Sequence, residues 1–595
     1  MSAFSFLSIG VVSTSLALVG MSLGKDPSSA EDLWAFQPPK RSDLPTVSLQ
    51  DELFHRMDAF IVAALGEQEL SARTLADDGS YFRRLHMVIT GLPSSIDDQQ
   101  AFAADDEPNK RQRWVDRLLA SYGFGERMTS FWLPIARYAE DQAHEVGDNK
   151  SLTYPNAYLY RQWVIDAFNR DLPYKDFIRY QLAADLDEDA LAERDALGFL
   201  GLGPKYYNRG RLEVKADEWE DRVDTVTRSF LGLTVACARC HDHKYDPISA
   251  EDYHALAGVF ASTEMLNEAL PGDAGEKKER KDKSPRHTRH VVKEGKIQDL
   301  PVYLRGDVTK TGETVKRRFL PALSGGEALP FDQGSGRGQL AEAIASPNNP
   351  LTARVMVNRL WKEVFGSALV QTPSNFGTLG QAPTHPALLD ELAIDFRDHG
   401  SVKRLVREML ESAAFQRTSV AGPTLAERDP SNLWLGRSAR RRMSFEMWRD
   451  AVLQASGDLD PSGGRSLEIE DDENLRRTVY ARISRLDLND VLEQFDYPDP
   501  NIHAAARVET TTTTQKLYLL NHPFVLERAS RLAARASAVD ENETEQITWL
   551  YRQLFARQPS DAELERGRSF LDQGEDRLAA LAHVLICSNE MLYLD

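Results

Sequence analysis

Three cysteines in 595 residues cannot staple a fold, so the chain is no disulfide scaffold and any cysteine chemistry is local. Basic charge is short as well: 71 Lys and Arg face 91 Asp and Glu, a formal net charge of −20. An acidic excess of that size repels phosphate and excludes nucleic acid as a general partner. Beyond Leu23 no run approaches the ~20 apolar residues that a membrane helix needs. Gly-x-Ser-x-Gly, His-Glu-x-x-His and P-loop patterns are missing, as is any repeat of fixed period. What is present, 42% hydrophobic and 27% charged residues, is close to the globular average and predicts packed cores in two to four domains.

Met1 to Leu23 is apolar and uncharged, followed by Gly24-Lys25-Asp26-Pro27. Its length and its small residues Ser22 and Gly24 fit a signal peptide over residues 1–24, although no Lys or Arg precedes Lys25. The expectation is a periplasmic or otherwise exported protein with no transmembrane span after signal removal, or one tethered at its N-terminus.

The fold class read from the pattern is mainly α in two domains, with a small β-hairpin at the start of the second. An extended segment, 25–50, leads into helical periodicity over 51–265, where Val223, Val226, Phe230 and Leu233 fall on one apolar stripe. A charged linker spans 266–299, its basic strip from Lys277 to Lys296 standing out in an acidic chain. Residues 300–595 form the second domain. It opens with the hairpin strands around Leu300–Val308 and Glu313–Phe319 and continues as helices, one ending at the C-cap Gly400. Gly334-Ser-Gly-Arg reads as a turn before a helix, Thr510–Thr514 as an exposed strand or loop, and Cys587 as a buried thiol.

The sharpest chemical signal is Cys237-Ala-Arg-Cys240-His241, followed by Asp242-His243-Lys244-Tyr-Asp-Pro. Cys-x-x-Cys-His is the attachment signature of haem c: two thiols three residues apart reach the two vinyl groups, and the adjacent imidazole reaches the iron. One covalent haem c is therefore expected on Cys237 and Cys240, with His241 as proximal ligand. Met265 is a candidate distal ligand, and Met87, Met128, His144 and His254 lie in the same segment. Asp242, His243 and Lys244 are candidates for tuning the site or for catalysis. The same residues also allow zinc on Cys237, Cys240 and His243, a dithiol redox pair, or inert thiols.

Several longer strings resemble a known family. Tyr81-Phe-Arg-Arg-Leu-His-Met, Tyr122-Gly-Phe-Gly-Glu-Arg-Met, Ala167-Phe-Asn-Arg-Asp-Leu-Pro-Tyr and the Cys237 region are similar to the planctomycete cytochrome C domain of the second type. Leu304-Arg-Gly-Asp, Asn349-Pro-Leu-Thr-Ala-Arg-Val-Met-Val-Asn-Arg, Pro383-Thr-His-Pro and Phe495-Asp-Tyr-Pro-Asp-Pro resemble the planctomycete-specific domain that follows it. The resemblance implies an exported protein with haem at Cys237, Cys240 and His241. The function expected is electron transfer or a redox role, with a redox partner protein, on an extracytoplasmic substrate. Two alternatives stand beside it. A polysaccharide-active or carbohydrate-binding protein would stack sugar on the Tyr-rich segments around Tyr154 and Tyr206. An extracytoplasmic scaffold would dock through residues 276–296.

Overall fold

The computed structural model describes residues 33–47, 55–142, 153–205, 210–270, 288–471, 473–574 and 577–595. The signal-like segment lies outside them, as do Tyr206, His144 and most of the basic strip. Among the described residues helices dominate, and strands occur only as three two-stranded antiparallel pairs. No helix there is long and apolar enough to cross a membrane.

Local signals account for the helix ends. Asp77, Ser249, Ser401 and Ser444 accept backbone N–H groups as N-caps, and Gly91, Gly366, Gly400 and Gly457 close helices in the left-handed conformation. The stripe Val223, Val226, Phe230 and Leu233 is wholly buried. A hairpin is present where expected but with shorter strands, Leu300–Tyr303 paired to Thr311–Val315: the chain turns at Leu304–Gly306, and the second strand starts at Thr311 and ends at Val315. The helix after Gly334 runs Arg337–Ala345, and its first turn faces inward: Arg337 is fully buried against Asp185 and Glu294.

Two local readings change. The Thr510–Thr514 run is loop as far as Thr512, one of the two expected conformations, but Thr513 and Thr514 open the helix Thr513–Asn521, which Thr512 caps in a capping box with Gln515. The ends of the charged segment 266–299 also pair with each other, Thr263–Ala269 against Thr288–Glu294, which places Val291 and Val292 in the core.

One continuous buried core runs through both halves of the chain. Trp132 sits in its first half, 5.0 Å from Phe177 and 5.8 Å from Phe230, and its indole N–H is shared between Tyr160 and Gln181 at 3.1 Å each. Buried arginines tie distant segments together. Arg84 donates to the carbonyls of Phe415, Arg417 and Asp595, and Arg485 to those of Arg137, Leu202 and Pro500. Arg477 binds Glu126 at 2.7 Å, Asp450 at 3.1 Å and the Thr90 carbonyl at 2.7 Å. Burying a charge is costly unless it is paired or hydrogen-bonded, so the contacts these arginines make fix which surfaces meet.

Candidate functional site

The helix Leu212–Val226 passes into a π-helical turn, Thr227–Leu231, which Gly232 ends in the left-handed conformation at φ 60°. Glycine is required there for space too, because a Cβ would lie 2.9 Å from Phe376 and 3.0 Å from Val355. Val235–Ala238 then form a 3-10 turn whose Val235 and Ala238 are buried. That anchoring turns Cys237 and Cys240 outward, and both are exposed free thiols. Arg239 folds back to the preceding helix, pairing with Asp217 at 2.7 Å and with Glu220.

His241 is exposed, with Nδ1 2.7 Å from the Asp242 carbonyl. That contact places the ring proton on Nδ1 and leaves the Nε2 lone pair open. Asp242 accepts from the Ala250 N–H at the start of the helix Ala250–Ala261. His243 turns the other way. Its side chain is 7% exposed, Nδ1 accepts from the Tyr245 and Asp246 amides at 3.3 and 2.8 Å, and Nε2 donates to Thr234 at 3.2 Å. Both nitrogens are therefore engaged in shaping the loop. Lys244 stays outside, over the Tyr245 ring at 5.1 Å.

The rest of the loop is held from the second half of the chain. Buried Asp246 accepts the Thr378 N–H at 2.6 Å, and Thr378 donates its hydroxyl to the Tyr245 carbonyl at 3.0 Å. Gly377 lies so close that a Cβ there would stand 2.2 Å from an Asp246 oxygen. Cys240 packs on Gly306, at φ 73°, where a Cβ would meet its sulfur at 2.7 Å. Asp246, Gly306 and Gly377 hold the loop in place, a part that sequence reasoning did not assign to them. Asp246 and Gly306 both stand in strings singled out from the sequence, Tyr-Asp-Pro and Leu304-Arg-Gly-Asp, but nothing in those strings pointed to Thr378 or Cys240.

The structure thus brings Cys237, Cys240 and His241 onto one exposed turn. Met265 is elsewhere, in the strand opposite Val292 with its side chain against the core. Met87 and Met128 are buried in the core, and His254 uses both nitrogens, on the Ala250 carbonyl at 2.7 Å and the Tyr303 amide at 3.0 Å. Tyr154 is also buried, its hydroxyl on the Gly203 carbonyl and its ring beside His290, so it offers no face to a sugar.

The donors suit covalent haem: two accessible thiols at the required spacing and an imidazole with Nε2 free. Zinc on Cys237, Cys240 and His243 fits less well, because both nitrogens of His243 are already hydrogen-bonded within the loop.

Residues 56–265 match the family model PSCyt2, a protein of unknown function (DUF1549). Residues 336–571 match PSD1, a protein of unknown function (DUF1553). The exposed turn therefore lies near the end of the PSCyt2 segment, while Thr378 and Gly377, which hold it, lie within the PSD1 segment. No curated protein and no solved structure matches the chain.

Proposed function

We propose that this chain is an exported electron-transfer protein that carries one haem c on Cys237 and Cys240, with His241 as the proximal ligand. The supporting observation is the division of labour in the loop. Cys237, Cys240 and the Nε2 of His241 reach solvent from one turn, whereas Arg239, His243 and Asp246 are all engaged in holding that turn in place. Haem bound there would supply a one-electron iron couple.

The chain's own residues supply attachment, orientation and support. Cys237 and Cys240 provide the two sulfurs. The Asp242 carbonyl fixes the His241 tautomer and makes Nε2 a better donor. The Asp246–Thr378 and Cys240–Gly306 contacts pass the loop's position to the other half of the chain.

The test is a haem-stained gel and a reduced-minus-oxidised spectrum of the full chain exported by a host that matures c-type cytochromes. Covalent haem present in the wild type and lost in Cys237→Ala/Cys240→Ala is expected. Exported protein without covalent haem would sink the proposal.

A further inference from the structure

A second feature is independent of the haem reading. A cavity of about 190 Å³ lies between the helices Tyr122–Ile135 and Thr352–Phe365, the strand Arg441–Arg442 and the segment 498–509. In a chain of net charge −20 its wall is cationic. Three of its arginines are neutralised locally: Arg127 by Glu363 at 2.6 Å, Arg477 by Asp450 at 3.1 Å and Arg507 by Glu446 at 2.6 Å. Arg359, Lys362, Arg441 and Arg442 make no ion pair among the described residues. The one remaining carboxylate on the wall is Glu509, which is exposed.

Of the unpaired guanidinium groups, Arg442 donates to Thr511 and Gln515, while Arg359 and Arg441 are poorly satisfied. Arg359 is 2% exposed and bonds only carbonyls and the Ser374 hydroxyl, leaving its Nε buried without a partner. Arg441 donates Nη1 to the carbonyls of Lys362 and Glu363, while its Nη2 is buried and unpartnered. The Nε of Arg127, itself nine-tenths buried, also lacks a partner. Burial pushes Arg359 and Arg441 down to about 10; for Arg441 the neighbouring Arg127 charge adds to it, with Glu363 and Glu509 only partly opposing the shift. A buried cation left with spare N–H donors is costly, and an oxyanion is the group whose geometry matches a guanidinium fork.

We infer that this cavity binds a small organic anion whose carboxylate, sulfate or phosphate group is held by Arg441, Arg359 and Lys362. Phe131, Pro134 and Met447 also line the space and supply an apolar wall for the body of the ligand. The volume suits a single ring rather than a chain. The segments that build it are far apart in sequence, so the site exists only in the folded chain.

The experiment is titration calorimetry on the full chain at fixed ionic strength with benzoate, phenyl sulfate and phenyl phosphate, and with benzamide as the neutral control. Saturable one-to-one binding of at least one anion is expected, with no binding of benzamide. Arg441→Met should weaken it at least about tenfold, which is the loss of one charge-assisted contact of ~1.4 kcal/mol or more. Which probe binds tightest identifies the acid group. Should Arg441→Met fail to fold, Lys362→Met/Arg442→Gln, both on part-exposed residues, must show the same weakening. No saturable binding by any anion, equal binding of benzamide, or unchanged affinity in the variants that fold would overturn the inference.

Discussion

Gly377→Ala tests whether the second half of the chain holds the cysteine loop. The new Cβ would stand 2.2 and 2.5 Å from the two Asp246 oxygens, far inside contact distance. Asp246 is 3% exposed and has no room to retreat, so it must give up the 2.6 Å bond from the Thr378 amide. Losing a hydrogen bond to a charged acceptor costs about 1.5–3 kcal/mol, and overpacking adds about 1–3. The sum predicts a loss of roughly 2.5–6 kcal/mol in unfolding free energy, read by urea denaturation. Amide exchange offers a local check: the hydrogen-bond part alone should raise exchange at Thr378 about 10- to 100-fold. Gly210→Ala is the control, because nothing lies within 4 Å of the Cβ it adds. If Gly377→Ala matched that control in both stability and exchange, the link between loop and second half would be wrong.

Three further outcomes follow from the packing. Arg477→Met strands Glu126 and Asp450, 5% and 3% exposed, and should cost about 3–5 kcal/mol, part of it recovered by adding Glu126→Gln; a loss under about 1 kcal/mol would contradict the buried-network account. His86 and His385 are pushed by burial from 6.5 to about 4, so the unfolded chain takes up protons that the folded chain refuses, and their contribution is complete above pH 6.5 and lost as pH falls toward 4. Each shift is worth on the order of 3 kcal/mol, and His86→Phe should flatten the fall of unfolding free energy over that window; an unchanged slope would refute it. Gly306→Ala forces a left-handed alanine costing about 1–2 kcal/mol and presses on the Cys240 sulfur, so mass-spectrometric labelling should show Cys240 reacting more slowly relative to Cys237, and an unchanged ratio would exclude the contact.

Much of the helical architecture was legible because it is written locally. The stripe through Val223 and Phe230 follows the 3.6-residue period and Gly400 marks a left-handed C-cap, whereas the hairpin could be expected but its turn could not be placed: it is Leu304–Lys310, and Thr311 and Gly312 belong to the second strand. The helix start at Thr513 was missed although Thr512-x-x-Gln515 is a capping box, because a run of threonines favours extended structure locally while the cap acts through side-chain hydrogen bonds. The pairing of Thr263–Ala269 with Thr288–Glu294 was hidden by the charged run between the strands. Cys237, Cys240 and His241 could be named from their spacing, yet their supports could not: Asp246 and Thr378 are 132 residues apart and Cys240 meets a glycine in another segment. The cationic cavity was illegible for the same reason, since Arg127, Arg359 and Arg441 converge only through tertiary packing.

The proposed haem is tested most directly by the intact mass of the exported full chain under denaturing conditions, read beside its visible spectrum. The proposal predicts a mass increased by one haem and a reducible c-type spectrum, both abolished in Cys237→Ala/Cys240→Ala. An exported chain at its polypeptide mass, with Cys237 and Cys240 both titrating as free thiols, would contradict it.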